Sequence, residues 1–127
     1  MKKSIIAVFL LTGLFSSNAA LMVPAEPVHA NINEHFVVTL PADQPLAPVY
    51  VVDISSFNFK SQEQLSKFCE SACERVIMFR ANFEEKKMYI SPQPTMTEGT
   101  WTILDWNSYL SNRAVKLEAL YQTIMAG

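Results

Sequence analysis

Apolar residues become dense from Val49 onward, and their pattern predicts a strand followed by a helix. Residues 49–54 form a short β-branched run that suits a buried strand. Ser61 and Gln64 then match a capping box, in which each side chain bonds a free backbone amide at the start of a helix. The apolar residues that follow recur at helical spacing on one face: Leu65, Phe68, Cys69, Ala72 and Cys73.

A β-hairpin is predicted after this helix. Residues 76–83 and 87–91 alternate with a period of two, and a charged connection separates them. Residues 92–100 read as a loop, and residues 101–104 fit a short strand. Asp105 is then a suitable N-cap for a long second helix. The apolar stripe of that helix contains Trp106, Tyr109, Leu110, Ala114, Leu117, Leu120, Tyr121 and Ile124.

The chain before residue 48 has a different character. Between residues 20 and 48, five prolines fix φ and remove backbone donors, which excludes a long helix. Within it, residues 34–40 are β-rich and fit an edge strand, with Phe36, Val38 and Leu40 on one side. We therefore expect a proline-rich extended segment over residues 20–47 and one α+β domain over residues 48–127.

The predicted order of elements favours an α+β fold. Two helices on one face of a mainly antiparallel sheet form a two-layer sandwich, which is the simplest way to bury both helical stripes. Because a strand–helix–strand unit crosses over in the right-handed sense, a hairpin strand fits beside the first strand. The arrangement predicted is ferredoxin-like, with one edge strand missing or replaced.

Composition and charge narrow the functional classes. The chain has 127 residues, half of them apolar, which suits one small domain. Its 10 Lys and Arg against 12 Asp and Glu give a net charge of −2, whereas a nucleic-acid-binding protein usually carries a basic field. We expect no nucleic-acid partner.

The first residues have the pattern of a secretory signal peptide. Two lysines precede an apolar run over residues 5–11, and small residues follow it. We predict a signal peptide over residues 1–19, cut after Ala19; cuts after Ala20, Ala25 or Ala30 also fit the small-residue rule. Such a leader places the mature protein in the periplasm of a bacterium or outside the cell.

An uncleaved membrane anchor is the alternative reading of the same residues. Residues 5–23 number 19, and a spanning helix needs about 20 apolar residues. Ser16, Ser17 and Asn18 interrupt the run, so export with cleavage is favoured. We therefore expect no membrane span after signal cleavage.

Cys69 and Cys73 are the most distinctive pair in the chain. Their spacing of four places both sulfurs on one helix face. A disulfide between them would be strained, because its Cβ atoms prefer a separation of about 3.8 Å. A zinc site needs about four ligands, and only His29 and His35 supply imidazoles. Buried thiols, a disulfide and a metal or redox site all remain open.

Catalytic signatures are sparse. The chain has no phosphate-binding glycine loop, no H-E-x-x-H and no G-x-S-x-G. Asp53 fits a turn at a strand end. Phe57, Phe59 and Trp101 raise carbohydrate stacking as an alternative to packing at the edge of the core. We predict neither a cofactor nor a metal, and we do not assign an enzymatic activity.

One sheet face is the main candidate site. If the alternate hairpin residues Ile77, Phe79, Met88 and Ile90 point towards the helices, the others point away. The outward set is Val76, Met78, Arg80, Asn82, Lys87 and Tyr89. An exposed patch with this apolar content indicates a partner surface. The alternative is that residues 34–40 or the linker cover it.

These observations support two functional hypotheses. The first is an exported module that binds a second copy of itself or another envelope protein through the open sheet face, with a homodimer as one form. The alternative is a thiol-dependent redox or metal-handling module that uses Cys69 and Cys73.

Overall fold

The structure, a computed structural model, describes residues 26–127. The predicted signal peptide over residues 1–19 lies outside these residues. The helices and strands are β1 (Val28–His29), β2 (Asn31–Ile32), β3 (Val38–Thr39), β4 (Tyr50–Asp53), α1 (Gln62–Ala72), β5 (Ile77–Asn82), β6 (Lys87–Pro92) and α2 (Ile103–Ala126). A short 3-10 helix, Pro94–Thr97, lies in the loop before α2. Neither helix within residues 26–127 is long and apolar enough to cross a membrane.

Four strands form the main sheet, in the order β1-β4-β6-β5. β1 is parallel to β4, and the other two pairs are antiparallel. β2 and β3 form a separate two-stranded antiparallel sheet. The prediction of a mixed α+β fold with two helices and a mainly antiparallel sheet is therefore confirmed, as is the hairpin β5-β6.

The start of α1 follows the predicted cap with one difference. Ser61 is the N-cap, and its side chain accepts a hydrogen bond of 3.1 Å from the Gln64 amide. The Gln64 side chain accepts from the Lys60 amide at 2.8 Å, one residue before the partner in a standard capping box. Both bonds satisfy amides that the first turn leaves free, so the local sequence alone specifies where α1 begins.

The predicted strand over residues 101–104 is wrong, because α2 begins at Ile103. The Thr102 hydroxyl accepts from the Asp105 amide at 3.2 Å, and the Asp105 carboxylate accepts from the Thr102 amide at 2.8 Å. This reciprocal pair is a complete capping box. Asp105 therefore caps the helix from its third position, and Thr102 is the N-cap.

The predicted edge strand over residues 34–40 is also corrected. Only Val38–Thr39 is extended, and it pairs with β2 in the small sheet; β1 is the fourth strand of the main sheet. Phe36 has a φ of 64°, in the left-handed region, which interrupts an extended strand. The predicted one-sidedness is nevertheless confirmed, since Phe36, Val38 and Leu40 are all fully buried.

One hydrophobic core joins all these elements. The inward residues of the hairpin, among them Ile77, Phe79, Met88 and Ile90, pack with the buried stripes of both helices. Phe36, Val38 and Leu40 belong to the same core. The packed unit thus includes part of the proline-rich segment as well as residues 48–127.

β1 ties the start of the described chain to the core strand β4. The Val28 amide donates to the Val49 carbonyl at 3.0 Å, and the Ala30 amide donates to the Val51 carbonyl at 2.9 Å. Val28 and Ala30 also pack against the core. A chain that begins at Asn31 should have a free energy of unfolding about 2–3 kcal/mol lower than that of a chain that begins at Glu26. The shorter chain lacks two hydrogen bonds and the burial of Val28.

Urea unfolding of the two shortened chains measures this difference. Equal stabilities would show that β1 adds nothing to the domain.

Candidate functional site

The main sheet has one face turned away from the helices, here called the outer face. It is formed by alternate residues of β4, β6 and β5, and none of them belongs to the core cluster that the sheet shares with the helices. The residues of the outer face are Val51, Asp53, Met78, Arg80, Asn82, Lys87, Tyr89 and Ser91. Five of the six residues predicted for this surface therefore lie on one face.

Arg80 and Tyr89 form a cross-strand pair at the centre of the outer face. The Arg80 guanidinium lies 5.6 Å from the centroid of the Tyr89 ring, within cation–π range. The Tyr89 hydroxyl donates to a Glu85 carboxylate oxygen at 2.9 Å, and this bond is the main reason that the pKa of Tyr89 is raised. A fixed ring thus orients an exposed guanidinium and leaves its N–H edges free.

The remaining residues make the outer face more polar than the sequence indicated. Met78 is its exposed large apolar residue, at 46%. Val51 also faces outward but is only 5% exposed, since it lies between strands that carry long side chains. Lys87 is the register partner of Asp53, whose pKa is lowered mainly by hydrogen bonds from Ser55 and to a smaller extent by the Lys87 charge.

Val76 and Asn82 have structural roles. Val76 precedes β5, is half-buried and packs against the core rather than on the outer face. The Asn82 side chain accepts from the Glu85 amide at 3.0 Å and so holds the hairpin turn. Both residues therefore contribute less to a docking surface than the sequence alone indicated.

The segments expected to cover the outer face lie elsewhere. The Phe36 ring packs on Phe68 of α1 and Tyr121 of α2, with centroid distances of 5.4 and 5.1 Å. From the linker, Leu46 and Ala47 pack against the same core. Within residues 26–127, neither segment crosses the outer face.

The two cysteines are free thiols with different surroundings. Cys69 is buried, and burial raises its pKa from 9.0 to about 12. The Cys73 sulfur accepts from the Phe79 amide at 3.2 Å and donates to the Phe79 carbonyl at 3.4 Å. Cys73 therefore acts as a hydrogen-bonding partner for the backbone of β5.

The free edge of β5 is closed by α1 and the residue after its C-cap. Ile77 exchanges two backbone hydrogen bonds with Glu74, and Cys73 bonds both backbone groups of Phe79. Further along, the Gln62 side chain donates through Nε2 to the Ala81 carbonyl at 3.2 Å and accepts through Oε1 from the Phe83 backbone amide at 2.8 Å. An edge occupied in this way resists pairing with another strand.

This environment gives the thiol hypothesis no support. Nucleophilic and metal-binding cysteines act as thiolates, whereas Cys69 stays protonated far above neutral pH. Among the described residues, no three His, Cys, Asp or Glu side chains are grouped as a metal site. The thiols instead fill the core and close a sheet edge.

The raised pKa of Cys69 predicts a loss of stability in alkali. Between about pH 9 and 12 the unfolded chain releases this proton and the folded chain keeps it, so the free energy of unfolding falls as pH rises. The slope from this group approaches about 1.4 kcal/mol per pH unit. Tyr109 adds to the fall above about pH 10, because burial and a hydrogen bond to Glu74 raise its pKa.

Urea unfolding from pH 8 to 11 measures this slope in the wild-type chain and in Cys69→Ala. The variant should show a shallower decline above pH 9, because it lacks the titrating thiol. Parallel curves for the two proteins would rule out Cys69 as a source of the alkaline loss.

A buried polar cluster was missed from the sequence. Arg113 of α2 is only 8% exposed; its guanidinium donates to the Ala72 carbonyl at 2.7 Å and lies 3.4 Å from the Glu74 carboxylate. The Tyr109 hydroxyl donates to the other Glu74 oxygen. Arg113 lies three residues after Leu110, on the predicted apolar stripe of α2. A charged residue at a stripe position was the sequence signal that could have indicated this buried cluster.

Of the three aromatic residues considered for stacking, Phe59 is buried, and Phe57 and Trp101 are half-buried against the core. Phe57 stacks on Phe36 at 4.3 Å, and Phe59 meets Phe68 edge-on at 5.3 Å. Trp101 is half-buried against Trp106 and Tyr109. Phe59 thus serves core packing, whereas Phe57 and Trp101 pack against the core and stay partly exposed.

No family model, curated protein or solved structure matches the chain.

Proposed function

We propose that the chain is an exported protein-binding module whose outer face docks a partner protein carrying a carboxylate beside an apolar side chain. The observation that supports this most strongly is the oriented Arg80 guanidinium over Tyr89, next to exposed Met78. Arginine, tyrosine and methionine are enriched in protein interfaces relative to the rest of the protein surface. The site recognises, and does not transform, its partner.

The chemistry of Arg80 indicates the kind of partner. Among residues 26–127, no carboxylate lies within salt-bridge distance of Arg80. A stacked guanidinium loses little side-chain freedom on binding and presents a planar pair of donors that matches a carboxylate. Met78, beside it on β5, supplies the apolar contact.

The proposed fold leaves this face free. We propose a ferredoxin-like arrangement in which β4, α1 and β5 form a strand–helix–strand unit with β6 between its strands, and β1 replaces the usual last edge strand. Support comes from the strand order β1-β4-β6-β5 and from the shared core of both helices and the inward strand residues.

We propose that the protein acts in the periplasm or outside the cell, where the partner is another envelope protein. Support comes from the basic start, apolar run and small residues over residues 2–20. Cleavage after Ala19, Ala20 or Ala25 would retain β1, which pairs with the core strand β4.

Charge reversal on the outer face tests the docking proposal. Tagged wild-type protein, Arg80→Glu and Lys116→Glu are each incubated with envelope extract, and the bound proteins are compared. Lys116 is an exposed cation on α2, on the helix side of the sheet. Lys116→Glu therefore changes the net charge by the same amount as Arg80→Glu, at a position away from the outer face. Thermal unfolding checks that all three are folded.

A partner that uses Arg80 is retained by the wild type and by Lys116→Glu and is lost with Arg80→Glu. Its capture also weakens as ionic strength rises from about 0.05 to 0.5 M, because salt screens exposed charges. Equal capture by both variants contradicts the proposal. Light scattering on the same samples identifies self-association; a dimer that Arg80→Glu dissolves would make a second copy the partner.

A further inference from the structure

A second surface of the molecule carries aromatic rings and a carboxylate. An open groove of about 490 Å³ lies where the loop before α2 meets the first turns of that helix. It is lined by Thr100, Trp101, Asp105, Tyr109 and Asn112. The groove is shallow and open to solvent, and it is separate from the outer face of the sheet.

The two rings of the groove are held rigidly. The Trp101 ring meets the ring of the fully buried Trp106 edge-on, with 4.7 Å between their centroids. The centroids of the Trp101 and Tyr109 rings are 5.5 Å apart, and the planes of these two rings are inclined by 53°. The Tyr109 hydroxyl is fixed by its hydrogen bond to Glu74. Because the Trp101 and Tyr109 rings are too close to admit a group between them, a ligand meets both from the groove.

The charge of the groove distinguishes between ligand classes. Asp105 is exposed, and one of its carboxylate oxygens accepts both hydrogen bonds from Thr102, so the other oxygen is free for a ligand. No basic residue lines the groove within the described part of the chain. Negative charge beside aromatic faces favours a cation, since the face of an aromatic ring attracts positive charge.

We propose that this groove binds an organic cation of the alkylammonium class, with Trp101 and Tyr109 as the ring surfaces and Asp105 as the counter-charge. The Asn112 amide and the Thr100 hydroxyl lie at the rim, where they can meet a polar group attached to the cation. The proposal is independent of the outer face and of any protein partner.

Two probes of nearly equal shape isolate the contribution of the ligand's positive charge to binding. Choline carries a trimethylammonium group, and 3,3-dimethyl-1-butanol carries a neutral tert-butyl group in its place. Saturation-transfer NMR on the methyl signal of each probe measures binding to the full chain. We expect choline to bind about tenfold more tightly than the alcohol.

Variants assign the binding to the groove. Trp101→Leu removes a ring and should weaken choline binding about tenfold. Asp105→Asn removes the charge yet keeps an acceptor for the Thr102 amide, so it should weaken choline binding in a folded protein. Val115→Ala, on an exposed position of α2 outside the groove, should leave binding unchanged.

The outcomes separate the proposal from its competitors. Equal binding of the two probes would show an apolar groove and overturn the cation proposal. Choline binding that survives both Trp101→Leu and Asp105→Asn would place the site elsewhere, and absence of choline binding would overturn the proposal outright. Methyl glucoside, run in parallel, should not bind; if it alone binds, the groove is a sugar site.

Discussion

Phe36→Ala is expected to lower the free energy of unfolding by about 3–5 kcal/mol, the usual cost of deleting a buried phenylalanine ring. Phe36 is 1% exposed and contacts the rings of Phe57, Phe68 and Tyr121 at 4.3, 5.4 and 5.1 Å. Its ring therefore joins the proline-rich segment to both helices. Alanine also has a β-carbon, so the left-handed backbone at this position remains equally strained and the change measures packing alone.

Urea unfolding measures the effect of Phe36→Ala, and Tm should fall by roughly 12–20 °C for a chain of this size. Glu34→Ala is the control, because its side chain is 86% exposed on the same turn and its loss should stay within about 0.5 kcal/mol. A loss below about 1.5 kcal/mol for Phe36→Ala would show that residues 31–40 are not part of the core.

Arg113→Ala is expected to cost about 2–4 kcal/mol. The change removes the charged donor to the Ala72 carbonyl, one of the carbonyls that the C-terminus of α1 leaves free. It also removes the cation beside Glu74, whose other oxygen is bonded to Tyr109. Arg113 thus fastens the end of α1 to the middle of α2.

A double-mutant cycle of Arg113→Ala and Glu74→Ala by urea unfolding isolates the pair, with an expected coupling of about 0.5–3 kcal/mol. Lys116→Ala, an exposed cation one turn further along α2, should change stability by less than about 0.5 kcal/mol. If Arg113→Ala resembles Lys116→Ala, the cluster does not hold the two helices together.

Elements whose pattern is local were predictable from the sequence. The alternation over residues 77–90 determines which hairpin residues face the core, because a strand places successive side chains on opposite faces. The Ser61 cap determines the start of α1 in the same way. The second helix start was misplaced, because β-rich residues 101–104 concealed the capping box from Thr102 to Asp105.

Features that depend on distant partners were not predictable. β1 is two residues long, and only its pairing with β4 makes it a strand. Residues 34–40 alternate like a strand, yet the chain turns at Phe36 and its buried residues pack against the helices. For the outer face, alternation predicted which residues point away from the helices but not how polar the surface is. Its polarity depends on neighbouring side chains that shield Val51 and on pairs such as Lys87 with Asp53.

Photo-crosslinking tests most directly whether the outer face docks an envelope protein. Photoreactive benzoylphenylalanine is placed at position 78 on the outer face or at position 115 on α2, both exposed in the native protein, at 46% and 77%. Irradiation in envelope extract should yield an adduct with one other protein from position 78 and not from position 115. Adducts from both positions alike, or none from position 78, would contradict the account.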